Sequence, residues 1–261
     1  TPNTPYEAYL VADCGSGGYS DTTGPISFRT PCTITTAPFN ESFDDPVSWI
    51  SRNTIDPCWG ASPSPGTTWS WEPKSGAPSS GNGPLQDLTG GNYMYVEASV
   101  SGSLPDAELI SPAIDVSGLT TPGLYFFQHR YSGATIADMS VEVSNDFGTT
   151  WNTVYTITGD VQTSSSDAWS LEFVNLAAYT GDTVMIKFLQ KFNGCCGDAA
   201  IDSVVVDEAP TCPWPTGLSL TAATDSSVSI GWNDPSGTSW NLQWGPPGFT
   251  QASPGAGTKT T

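Results

Sequence analysis

Basic side chains are scarce in this sequence: seven Lys and Arg stand against 26 Asp and Glu, a formal charge of −19. Such a surface repels phosphates and anionic headgroups, which excludes nucleic acid as a partner. Histidine is nearly absent too. Any Ser-His-Asp or Cys-His relay would have to use the single His129. That residue follows the apolar run Leu124-Tyr-Phe-Phe127 and precedes Arg130, a setting for a packed side chain rather than a base. HExxH, GxSxG and GxxxxGK[ST] are all missing, and with them the metalloprotease, hydrolase and phosphate-loop chemistries they carry. No apolar run approaches the roughly 20 residues of a membrane span, which argues against membrane insertion. There is no spaced CxxC pair to suggest structural zinc, and no sustained helical stripe. The chain opens on Thr1 with neither initiator Met nor signal segment, so it is expected to be a mature or excised piece.

What remains is β-forming. Charged residues are 13% and hydrophobic ones 37%, with 27 Gly and 22 Pro, a composition suited to short strands joined by many turns. Six cysteines in a Lys-poor chain fit an oxidising, extracellular compartment and three bridges. Near the N-terminus, Tyr6-Glu-Ala-Tyr-Leu-Val-Ala-Asp13 and Pro25-Ile-Ser-Phe-Arg-Thr30 alternate apolar and polar residues and predict a hairpin. Near the other end, Leu218-Ser-Leu-Thr-Ala222, Ser227-Val-Ser-Ile-Gly-Trp232 and Ser239-Trp-Asn-Leu-Gln-Trp244 predict three more strands. Neither terminal piece has enough strands to bury both faces, and an isolated hairpin is marginal in water.

These two pieces resemble a fibronectin type III module divided in the middle. The resemblance is carried by Cys212-Pro-Trp-Pro-Thr-Gly-Leu218, Trp232, the Trp240-x-Leu-x-Trp244 run, and Thr1-Pro-Asn-Thr-Pro-Tyr6 leading into Tyr9, Val11 and Cys14. Such modules occur in large surface proteins of gliding bacteria that use type IX secretion. Residues 1–32 correspond to the C-terminal half of the module and 210–261 to its N-terminal half. Joined tail to head they fall somewhat short of the roughly 100 residues of an immunoglobulin-like sandwich. The apolar strand usual before a Thr-Pro-Asn-Thr turn is missing.

The middle segment, residues 33–209, resembles MAM-like domains. The resemblance rests on the order of Phe39-Asn-Glu-Ser-Phe-Asp-Asp45, Trp49, Asp87-Leu-Thr-Gly-Gly-Asn-Tyr93, Leu109-Ile-Ser-Pro112, Leu124 to Phe127, Ser140-Val-Glu-Val143, Trp151, Trp169 and Gly197-Asp-Ala-Ala-Ile-Asp-Ser-Val204. It implies an all-β, jelly-roll β-sandwich. The residue pattern agrees, with β-type runs over 93–98, 107–110, 124–130, 139–144, 153–158, 169–175, 183–189 and 200–206. The resemblance further implies a structural Ca2+ tying the first strand to the last, near Glu41, Asp44, Asp87, Thr89 and Asp202, with Asp198 in reserve. A hard cation takes six to eight oxygens. The alternative is that these carboxylates cap turns or face water.

In a fibronectin type III fold the pole shared by the first and sixth strands would bring Cys212 to Cys14, and in a repeating chain that bridge would join successive copies. A Cys14–Cys32 pairing is the alternative. Cys58 is expected to meet Cys195 or Cys196, with Cys32 taking the other. Trp49, Trp151, Trp169 and Trp232 are expected in cores. Trp59, Trp69 and Trp71 lie in a Pro/Gly/Ser-rich loop and have two readings: glycan binding by stacking on sugar rings, or packing as a lid over the sandwich. Asp21-Thr22-Thr23, Asp182-Thr183-Val184 and Asp202-Ser203-Val204 match an Asp-Ser/Thr-apolar O-glycosylation pattern, with Thr22 in the most exposed setting and Thr183 second, and Asn40-Glu-Ser42 fits the N-glycosylation pattern.

The expected protein is therefore not an enzyme. It is a structural repeat unit of a cell-surface filament or giant adhesin, whose copies join head to tail by completing a fibronectin type III module. Short Pro-containing linkers such as Glu208-Ala-Pro-Thr-Cys-Pro213 would restrict bending. The alternative is a carbohydrate-binding accessory module of a secreted polysaccharide-degrading enzyme. Glycan cleavage by paired carboxylates is disfavoured, because a jelly roll of this size more often binds than cuts.

Overall fold

The computed structural model describes residues 2–50, 54–64, 66, 69–79, 81–88, 90–97, 103–133, 136–193, 198–211, 215–234, 239–240 and 242–245. The chain divides into two compact units, Thr1–Glu208 and Ala209–Thr261. In chain order the first contains β1 (Pro5–Leu10), β2 (Thr23–Arg29), β3 (Thr35–Thr36), β4 (Phe39–Glu41), β5 (Gly60–Ser62), β6 (Glu72–Lys74), β7 (Tyr93–Val96), β8 (Ala107–Ile110) and β9 (Ile114–Asp115). It continues with β10 (Pro122–Tyr131), β11 (Met139–Ser144), β12 (Asn152–Ile157), β13 (Ser170–Asn175), β14 (Thr183–Gln190) and β15 (Asp198–Glu208). The second contains β16 (Thr216–Ala223) and β17 (Val228–Asn233).

The fold is all-β, a jelly-roll β-sandwich of two sheets. One sheet runs β13-β10-β15-β7-β6, with β4 added alongside β15. The other runs β12-β11-β14-β8-β5, with β9 on β14 and β3 on β9. Pairing is antiparallel throughout the described residues except for β3 on β9. Period-2 alternation aims one face of each strand inward: Leu124 and Phe126 from β10, Val141 and Val143 from β11, Val184, Ile186 and Phe188 from β14, all fully buried. Phe126 and Phe188 meet edge to face across the two sheets at 5.0 Å. Truncating either to Ala would cost about 3–5 kcal/mol through lost transfer energy and the cavity left behind.

One end of this core is polar. Arg130 is fully buried on β10 and crosses to the opposite sheet, where it donates to Gln190 Oε1 and to the Ala137 carbonyl. Burial lowers its pKa to about 10 although Asp138, Asp160 and Glu172 act to raise it, so it remains charged at neutral pH. Its backbone N–H donates to Gln162 Oε1 at 2.7 Å, which ties the 159–163 turn to the strand.

The terminal segments are thinner. β1 and β2 form a two-stranded hairpin, and so do β16 and β17. The strand predicted over 239–244 is not formed by its described residues, Ser239, Trp240, Leu242, Gln243 and Trp244. Trp240 instead folds back onto Trp232 at 5.4 Å, and its Nε1 donates to Asp234.

Candidate functional site

The face of the six-stranded sheet turned away from the core is where polar and aromatic side chains gather. A bulge in β15 creates it: opposite β10, Tyr125 pairs with Val205 but Phe127 pairs with Asp202, and Ser203 between them adopts φ 49°. The extra residue lets Ala199 and Ile201 join the core before the bulge and Val204 and Val206 after it. Asp198, Ala200 and Asp202 are thereby left on the other face, beside Tyr93 and Tyr95 of β7.

Of the residues expected to hold a cation, Asp44, Asp87 and Asp202 come together. Asp202 is 1% exposed, and its pKa is pushed up to about 7, first by burial and further by the charges of Asp44 and Asp87. Backbone amides already occupy part of each carboxylate. Asp202 accepts from Ser203 N at 2.6 Å and Leu88 N at 3.3 Å, Asp44 from Asn92 N at 2.7 Å, and Asp87 from the amides of Gly90 and Gly91. The chain at Gly91 passes so close to Asp44 that a Cβ there would overlap its carboxylate. Glu41 is engaged elsewhere, accepting from Phe43 N at 2.8 Å and Trp49 Nε1 at 3.1 Å, with Asp56 the nearest repelling charge. Thr89 lies outside the described residues. Asp198 faces Tyr95. Among the described residues no three His, Cys, Asp or Glu side chains form a ready metal cage. In charge the Asp44, Asp87 and Asp202 set fits a hard cation; as it stands it is an amide-capped network.

The tryptophans of the 57–85 segment take the packing role, which corrects the glycan-stacking reading. Trp59, Trp69 and Trp71 are at most 5% exposed. Trp59 lies edge-on to Phe43 at 5.5 Å and Trp49 at 5.8 Å, Trp69 meets Phe192 at 4.9 Å, and Trp71 Nε1 donates to the Ala107 carbonyl at 3.1 Å. The segment carries β5 and β6, each added to a different sheet, so its aromatics are drawn inward. Conversely, Trp151, Trp169 and Trp232, expected in cores, are only half-buried. Lys187 sits 4.5 Å above the Trp151 ring.

Cysteine pairing also needs correction. Cys32 is bonded to Cys58, with Cα atoms 5.7 Å apart, in place of the expected partners Cys195 and Cys196. The reason is topological: Cys32 leads into β3 and Cys58 into β5, and both strands belong to the same sheet. Cys195, Cys196 and Cys212 lie outside the described residues. Cys14 is exposed with a free thiol.

His129 is fully buried and rests against Trp169 at 5.8 Å, its ring nitrogens lacking a well-formed hydrogen bond. Burial lowers its pKa to about 4 even though Asp167 pulls the other way, so it is neutral across the physiological range.

The MAM domain (meprin/A5/mu) family model matches residues 53–213. The chain belongs to the MAM domain family. No curated protein matches it. Solved structures similar to this MAM domain include the K1 cleaved adhesin domain of Lys-gingipain from Porphyromonas gingivalis W83, 18% identical, with 66% of this chain and 98% of that one covered and a TM-score of 0.47. The K2 cleaved adhesin domain of Lys-gingipain is 21% identical over 66% of this chain and 99% of its own, with a TM-score of 0.45. A complex of TmCBM61 with β-1,4-galactotriose is 14% identical over 58% and 88%, with a TM-score of 0.37. Likenesses this shallow do not bear on what the MAM domain binds.

The two terminal hairpins expose apolar side chains. Leu10 is 73% and Ile26 71% exposed on β1–β2, and Leu218 is 69% and Val228 68% exposed on β16–β17. Tyr6 and Phe28 stack on one another at 5.6 Å, both still open to solvent. Of the expected glycosylation positions, Thr22 is exposed just before β2, whereas Thr183 is half-buried at the start of β14, paired with Asp115. Sequence reasoning missed the surroundings of Trp169, because a period-2 strand pattern does not say which face lacks a covering sheet.

Proposed function

We propose that this chain is an extracellular, non-catalytic structural unit of an adhesive surface protein. In this reading its copies join head to tail, the β1–β2 hairpin of one completing a fibronectin type III module with the β16–β17 hairpin of the next. The observation that carries the reading is the pair of two-stranded hairpins with exposed apolar faces. Neither can be stable alone in water, and apolar surface left uncovered on a secreted protein marks an interaction surface. Membership of the MAM family and the Cys32–Cys58 disulfide support an extracellular setting. Cys14, exposed and free, would bond Cys212 of the adjoining copy.

The same reading includes a structural Ca2+ held by Asp44, Asp87 and Asp202, neutralising charges that otherwise repel one another. O-glycosylation at Thr22 is compatible with its exposure.

Complementation between two blocked variants tests the assembly. Ile26→Asp disables one end and Leu220→Asp the other. The unaltered chain should grow concentration-dependent oligomers in analytical ultracentrifugation. Each variant alone should stay monomeric, and their mixture should stop at a dimer. Self-association of Leu220→Asp would point to a symmetric contact and overturn the head-to-tail reading.

A further inference from the structure

Beside Trp169 the outer face of the six-stranded sheet opens into a groove of about 400 Å³, lined by Pro84, Leu85, Gln86, Ser165, Ser166, Asp167, Ala168 and Trp169. Two loops build it, one leading into β7 and one into β13. They are pinned to each other where Leu85 N donates to the Ser165 carbonyl at 3.2 Å and Trp169 Nε1 to the Gln86 carbonyl at 3.0 Å. The indole is further held edge-on by Tyr93 at 5.3 Å and by His129. Its orientation is thus set before any ligand arrives, which lowers the entropic cost of binding.

The polar side of the groove narrows the choice of ligand. Among the described lining residues the one ionised side chain is Asp167, which caps its own turn: Oδ2 accepts from Thr163 N and Oγ1 and from Ser164 N, and Oδ1 accepts from Ser164 Oγ. Those bonds hold its pKa at about 2, so at neutral pH it is an anion with no proton to donate. Ser165 Oγ, by contrast, is buried without a hydrogen-bond partner, and Gln86 and Ser166 are exposed. An anion is disfavoured by the chain's charge of −19, and most of the acceptor capacity of Asp167 is spent within its own turn. An aromatic ring face flanked by neutral hydroxyls and an amide suits a flat ligand that is apolar on one face and hydroxylated at its rim.

We infer that this groove binds a neutral oligosaccharide, one pyranose ring stacking on Trp169 while its hydroxyls reach Gln86 and Ser166. The site lies on the sandwich and is independent of the hairpin pairing proposed above. Titration calorimetry with cellohexaose, xylohexaose, mannohexaose and β-1,4-galactohexaose, up to millimolar sugar, tests it. At least one should bind saturably, with a change in tryptophan emission. Trp169→Ala should weaken binding at least tenfold. Ser166→Arg, at an exposed position that leaves the core contacts intact, should block the groove while the melting temperature stays unchanged. No binding by any of the four sugars would overturn the assignment. So would binding that survives Ser166→Arg, or selective binding of a basic peptide.

Discussion

At His129 burial decides the protonation state before any neighbour does. The ring is fully buried against Trp169, and its folded pKa of about 4 lies below the ordinary 6.5. Between those values the unfolded chain holds a proton that the folded chain does not. Stability from this residue is therefore complete above about pH 6.5 and is lost as pH falls toward 4, by at most about 1.4 kcal/mol per pH unit. Asp167, the charge nearest the ring, stays ionised throughout this window because its own pKa is held at about 2. His129→Leu should flatten the melting-temperature profile between pH 6.5 and 4 relative to the unaltered protein. Parallel profiles would show that the imidazole is not the group responsible. That this histidine is packed was legible from its place after the apolar run Leu124 to Phe127. That Arg130 beside it spans the core was not, since a strand pattern assigns long charged side chains to solvent.

Among the elements, the long strands were legible and the short ones were not. The runs predicted over 93–98, 107–110, 124–130, 139–144, 153–158, 169–175, 183–189 and 200–206 each became β7, β8 or one of β10 to β15. Strands such as β3, β5, β6 and β9 contain two or three residues, too few for an alternation to register. Missing β5 and β6 is what made Trp59 and Trp71 look exposed, and missing β3 and β5 hid the Cys32–Cys58 pairing. The β15 bulge was also invisible, although it places Asp202 against Asp44 and Asp87. If Ca2+ occupies that set, calorimetry should show one site, a chelator should lower the melting temperature, and Asp202→Asn should abolish both effects. A melting temperature indifferent to calcium would leave the carboxylates as amide caps alone.

For the whole molecule, protection is expected to be uneven. The sandwich has a continuous core, whereas β1–β2 and β16–β17 bury almost nothing, and opening free energy follows burial. Amide exchange followed by mass spectrometry should find both hairpins exchanging within seconds in dilute protein and slowing once copies associate. Equal rates in the two conditions would mean that the hairpins are not the contact. The disulfide has a mechanical consequence for a protein pulled from its N-terminal side. Tension arriving at Cys32 passes through the sulfur bond directly to Cys58, so residues 33–57 carry no load. Within that slack loop lie β4, which pairs with β15, and Trp49, whose ring packs on Phe43. Tension entering from the N-terminal side therefore does not peel β4 from β15.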